Sequence, residues 1–171
     1  GLSDSEWSTT ASGAVAVYGE DAGCTNWSPD IDACDPSQSF HEYGRLYNWY
    51  AVNDVRGLCP NGWHVPTDEE WAVMTYHLGG ESVAGSQMKT DYGWYDGGNG
   101  TNSSGFAGLP GGSRGDSGFF LDAGTYGFWW SSSPFGSDAW DRYMTQYGED
   151  TFRGNADPRR GFSVRCIKDT E

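Results

Sequence analysis

The chain has 171 residues, enough for one domain with its own core, and we read residues 1–171 as a single unit. Its 9 Trp, 10 Tyr and 8 Phe stand against a hydrophobic content of only 36%, so rings more than aliphatic side chains must fill that core. With 24 acids against 10 Lys and Arg the net charge is -14, which argues against nucleic acid and anionic lipid as partners, and no apolar run approaches the roughly 18 residues of a spanning helix, which argues against direct membrane insertion.

Residues 12–21, "SGAVAVYGED", alternate at Val15 and Val17 before Gly and acids, the pattern of a short strand running into a loop. "CTNWSPDIDAC" follows, turn-rich and bracketed by Cys24 and Cys34. "YGRLYNWYAVND" then puts Leu46, Trp49, Tyr50 and Asn53 at i, i+3, i+4 and i+7, which predicts a helix with one buried face ending near Asn53. The clearest local signal is "VPTDEEWAVMTYHLGG": Thr67 and Glu70 make a capping box, Pro66 precedes the cap, acids fill the first turn, and Gly79 and Gly80 stop the helix. Trp71, Met74 and Leu78 share its inner face.

From Gly79 onward the chain becomes polar and glycine-rich, and "DYGWYDGGNGTNSSG" predicts a long loop. Short strand candidates come next: "GFAGLPGG", "GFFLDAG", "GFWWSSS", "AWDRYMT" and "GFSVRCIKD". In the last of these Phe162, Val164 and Cys166 share a face. Residues 143–159 obey no period at all. Helices first and strands afterwards, with one early strand, define an α+β domain.

The four cysteines fit neither a CxxC pair nor a zinc knuckle, and their even number suggests two disulfides in an oxidising compartment. Three pairings are open; a local Cys24–Cys34 bridge leaves Cys59 with Cys166. Four reduced thiols are the reading for a reducing compartment.

Other chemistry is thin. "GGSRG" matches the nucleophile-elbow pattern at Ser113, but no His follows His77, and the glycines read as a tight turn. His41, His64 and His77 have no metal-ligand spacing; His64, beside the helix cap, reads as a hydrogen-bonded structural imidazole. Loop carboxylates from Asp91 to Asp157 are a potential source of Ca²⁺ ligands, although no EF-hand spacing is present and solvated surface is the default. Trp94–Tyr95 and Trp129–Trp130 offer a sugar-stacking platform, against which strand alternation sends one of Trp129 and Trp130 into the core.

Six ordered blocks, "YGRLYNWYAV", "GLCPNGWHVPTDEEW", "GTNSSGFAGLPGG", "GFWWSSS", "AWDRYM" and "GFSVRC", resemble the Fibrobacter succinogenes major paralogous domain family over residues 14–169. The resemblance implies a C-type lectin fold related to formylglycine-generating enzymes: two helices packed on short, twisted, mainly antiparallel sheets with long loops, the terminal strands pairing. Those enzymes use a late cysteine pair, and here none lies between Cys59 and Cys166; three scattered histidines supply no iron site.

Similar domains serve as variable proteins of diversity-generating retroelements, in which a carboxy-terminal segment is rewritten and used for binding. The corresponding region here is 130–160. It implies a recognition face of Trp130, Tyr143, Gln146, Tyr147, Glu149, Asp150, Phe152, Asn155 and Asp157, whose exposed rings suit contact with a partner. The expectation is a non-catalytic, extracellular or cell-surface domain that binds a protein or glycan on another cell or surface, with no cofactor unless Ca²⁺ is held. The alternatives are a formylglycine-type or carboxylate-based enzyme and a structural envelope or pilus component.

Overall fold

The computed structural model describes residues 1–20 and 23–170, so Asp21, at the end of the expected strand-to-loop segment, lies outside the described residues with Ala22 and Glu171. The fold is mixed α+β with five helices among the described residues, not two. Ser3 and Glu6 form a capping box at the head of α1 (Asp4–Thr9), which buries Trp7. β1 (Val15–Ala16) follows; Ala16 and Val17 are both buried while Val15 is exposed, so the expected alternation is not realised. After β2 (Cys24–Asn26), Asp35 caps α2 (Pro36–Glu42) with Pro36 at its first position.

The helix expected from the Leu46, Trp49, Tyr50 and Asn53 spacing, ending near Asn53, is replaced by β3 (Leu46–Tyr47) and a single turn, α3 (Trp49–Val52). Asn48 is the reason. Its side-chain oxygen accepts from Ala14 N at 2.8 Å and Ala51 N at 3.1 Å, and its amide donates to Ser12 O at 2.9 Å. It therefore caps a new helix and ties that cap to the amino-terminal segment. Leu46 and Trp49 are still buried, one from a strand and one from a helix.

β4 (Trp63–His64) leads into α4 (Asp68–His77), whose Thr67–Glu70 capping box and buried Trp71 are as expected. His64 lies between Asp169 at 2.6 Å and Glu70 at 3.0 Å, as a hydrogen-bonded structural imidazole should. These two carboxylates, Asp169 first, raise its pKa. The loop expected directly after Gly79 is interrupted by α5 (Glu81–Met88), which buries Ala84, Gly85 and Met88. Gly85 is required by packing: a Cβ there would collide with the Asp150 carbonyl. The polar loop begins only after α5 and includes a 3-10 turn, Tyr95–Gly97.

β5 (Gly111–Arg114), β6 (Phe120–Ala123), β7 (Tyr126–Phe135), β8 (Asp138–Thr145) and β9 (Phe152–Ala156) join β2 in a six-stranded sheet, ordered β2-β6-β5-β7-β8-β9. Pairing is antiparallel except for β2 with β6 and β5 with β7. "GGSR" is thus a strand and not a tight turn, and Ser113 is buried within it. Residues 143–159 likewise contain an edge strand, β9. The last strand, β10 (Ile167–Lys168), pairs with β4, and β1 pairs with β3. The terminal strands therefore do not pair with each other; β3 mediates, bonded to β1 on one side and to Phe162 on the other.

Three ring-rich clusters make the core. Trp7, Tyr18 and Phe120 pack near the amino terminus; Trp49, Val65, Trp130 and Phe162 pack on one side of β7; Trp71, Met88, Trp94, Trp129 and Met144 pack beneath α4 and α5. Both Trp129 and Trp130 are buried because the sheet is covered on both sides at that point. Trp94 is also core, so neither aromatic pair forms an exposed platform. Disulfides join Cys24 to Cys34 and Cys59 to Cys166.

Candidate functional site

Strand alternation places Tyr126, Phe128 and Trp130 on one face of β7, and the register sets Phe128 opposite Tyr143 and Trp130 opposite Asp141 on β8. Tyr143 in turn lies opposite Phe152 on β9. This face is divided in two. Its Trp130 end is closed by Trp49, Val52 and Phe162, whereas Tyr126, Phe128 and Tyr143 stay half-buried and Phe152 is 38% exposed.

The open half carries a row of upright rings. Tyr126 and Phe128 stack at 5.7 Å with planes 6° apart, and Tyr143 and Phe152 stack at 4.9 Å and 15°. Phe128 links them, 5.6 Å from Tyr143 at 34° and 4.9 Å from Phe162 beneath. Within the row, neighbouring rings are turned toward one another. Phe152, on the outermost strand, ends the row.

Beside it the 146–151 hairpin is irregular in sequence but fixed at its backbone. Gln146 N donates to Thr125 O at 2.8 Å, Ser86 N to Glu149 O at 3.2 Å and Thr151 N to Glu81 O at 2.7 Å. The buried Lys89 ammonium donates to Thr145 O at 3.1 Å and Gly148 O at 2.8 Å. Burial lowers the Lys89 pKa. Tyr147, 74% exposed, and Glu149 project outward from this supported chain.

On the opposite sheet face, Asp68 at the start of α4 gathers the cross-strand pair Arg142 and Arg153. Arg142 Nη1 donates to Asp68 Oδ1 at 2.7 Å and Arg153 Nη2 to Asp68 Oδ2 at 2.6 Å. Burial alone would raise the Asp68 pKa, but its bonds to Arg153 and Arg142 win and hold it below the ordinary carboxylate value. Arg153 also lies 3.6 Å above the Trp140 ring. This clamp sets β8 and β9 against α4, and so the pitch of the face beyond.

Asp141 lies under Gly154, where an added Cβ would sit 2.9 Å from Oδ1. It is buried, and burial pushes its carboxyl up to about 7 against the pull of Arg142 and Arg160. Asp122 is also raised by burial, with Arg160 again opposing.

The expected site residues divide accordingly. Tyr143 and Phe152 belong to the ring row, and Gln146, Tyr147, Glu149 and Asp150 to the hairpin. Trp130 is fully buried and donates its indole N–H to Tyr47 O at 2.7 Å; it supports the face and is not on it. Asn155 faces the other way, opposite Trp140. Asp157 is engaged by Arg159, which donates to its two oxygens at 2.9 and 2.6 Å. Tyr126 and Phe128 were missed, although their i, i+2 spacing to Trp130 in "YGFWW" is the signal that places them on one face. Among the described residues no three His, Cys, Asp or Glu side chains are grouped so as to hold a metal ion.

A disulfide-braced α+β domain, with helices behind one end of a mixed sheet and a late hairpin held rigidly at its edge, is the class these features define. The chain belongs to the Fibrobacter succinogenes major domain family, whose model matches residues 16–168. That span takes in the whole six-stranded sheet and all helices except α1. No curated protein and no solved structure matches the chain.

Proposed function

We propose that this is a non-catalytic ligand-binding and display domain of a secreted or cell-surface protein, contacting its partner through the open half of the β7–β8–β9 face and the 146–151 hairpin. The observation that carries this reading is the row of half-exposed, mutually stacked rings beside a hairpin whose backbone is bonded from below. The two disulfides are compatible with an extracellular setting. We place the fold with C-type lectin domains, and the hairpin with the rewritten segment of retroelement variable proteins. Positions 147, 149 and 152 suit that role because their outward side chains contribute none of the bonds that hold the hairpin backbone.

Ring orientation favours one partner chemistry. A pyranose stacks on an open ring face, and here the rings inside the row are turned toward one another, which suits a protein surface better than a glycan. The second reading, a carboxylate-based enzyme, is favoured only by Asp141, whose raised pKa would suit a general acid.

The test is a displayed library randomised at Tyr143, Tyr147, Glu149 and Phe152, selected against purified protein and glycan panels. A folded majority yielding protein binders is expected. A library that mostly fails to fold, or binders that tolerate removal of all four side chains, would overturn the assignment.

A further inference from the structure

A cavity of about 530 Å³ opens between the end of α2, the loop around Tyr92 and the segment preceding β10, sharing no residue with the ring row or the hairpin. Its walls are aromatic, from Phe40, Tyr43, Tyr47 and Tyr92, with Trp129 also lining it. It is also lined by two arginines, Arg45 and Arg165.

Those two, with Arg160, stand apart from the other arginines of this chain in forming no ion pair among the described residues. Elsewhere Arg56, Arg114, Arg142, Arg153 and Arg159 each meet a carboxylate. Among the described residues neither Arg45 nor Arg165 has an acidic partner within salt-bridge distance, in a molecule with 24 acids to choose from. Both are nevertheless held in place: Arg45 sits 4.8 Å above the Phe40 ring, and Arg165 donates one bond from Nη2 to Ala107 O at 2.8 Å while lying 5.3 Å from the Phe106 ring centroid. A guanidinium carries five N–H donors, so most of each fork remains available.

We propose that this cavity is a second binding site, for a carboxylated sugar of the hexuronate type. The arginines supply charge complementarity for the carboxylate against an otherwise repulsive background. The aromatic walls suit the apolar faces of a pyranose. The rest of the lining suits its hydroxyls: Ser163 and the Tyr47 and Tyr92 hydroxyls can exchange hydrogen bonds with them, and Glu42 can accept from one while repelling a second acid group. The volume lies within the range of sites for small ligands and accommodates one or two sugar rings.

Calorimetric titration of the folded domain with galacturonate, galactose and inorganic sulfate tests the assignment, alongside Arg45→Gln and Arg165→Gln, with a thermal melt on every variant. Galacturonate should bind at least about tenfold more tightly than galactose or sulfate, and each substitution should weaken it by about tenfold while the melt stays within a few degrees. Because Arg165 also holds a backbone carbonyl, Arg45→Gln is the deciding variant if Arg165→Gln unfolds. Equal binding of galactose, equal binding of sulfate, no binding of galacturonate by the folded protein, or full retention in Arg45→Gln would each overturn the proposal.

Discussion

The Lys89 ammonium donates to the Gly148 carbonyl at 2.8 Å, so the residue that ends α5 carries the turn of a hairpin 59 positions later. Lys89→Met should leave the Thr145 and Gly148 carbonyls without their charged donor and cost about 2 to 3 kcal/mol. Amide exchange should quicken at residues 146–151 and stay slow in β7. Uniform exchange across both regions would mean that the lysine does not support the hairpin.

Asp68 holds Arg142 and Arg153 together, and Arg142 is fully buried. Asp68→Ala should therefore destabilise by about 3 to 5 kcal/mol, since it strands a buried charge. Asp157→Ala breaks only a half-exposed pair with Arg159 and should cost about 1 kcal/mol or less. Denaturant midpoints of the two variants should differ accordingly.

Asp141 has a pKa raised by burial to about 7, above the value it has in an unfolded chain. The folded state then binds more protons than the unfolded one between about pH 4 and 7, so stability falls as pH rises through that window and is constant above it. Asp141→Asn should remove this penalty and be more stable than the parent by about 2 to 4 kcal/mol at pH 8, with the difference vanishing near pH 4. Urea titrations at the two pH values measure it. An equal difference at both would place the effect in packing.

Joint replacement of Tyr147, Glu149 and Phe152 by Ser should change stability by about 0.5 kcal/mol per position or less, because all three are exposed. Trp130→Ala should cost about 3 to 5 kcal/mol, since that ring is core and its N–H bonds Tyr47 O. Thermal melts of both variants test this division between surface and support. A triple variant that melts far below the parent would show that the hairpin is structural.

Elements specified by nearby residues were legible in the sequence. The Thr67–Glu70 box is a local device, and it placed α4 correctly; the alternating rings of β7 and β8 likewise announced strands. Elements specified from a distance were not. Helix α5 contains Val83, Gly85 and Ser86, a poor helical composition, and Gly85 is there because the Asp150 carbonyl presses against it. β9 reads Phe152, Arg153, Gly154, Asn155, Ala156 and has no apolar alternation, because as an edge strand it takes its form from β8. The expected site residues do not share one face: the pleat of β9 turns Asn155 away from Phe152, and alternation along so polar a segment could not be phased from the sequence. Trp130 was misplaced because cover on both sides of β7 is a tertiary fact.

The Cys59–Cys166 bond encloses a separation of 107 residues that contains α4, α5, the strands β5 to β9 and the exposed Tyr147. A protease that cuts once anywhere inside that span produces two polypeptides still joined by sulfur, and no fragment diffuses away. A domain nicked at its hairpin therefore stays one covalent molecule, and separation of its two parts waits on a reductant.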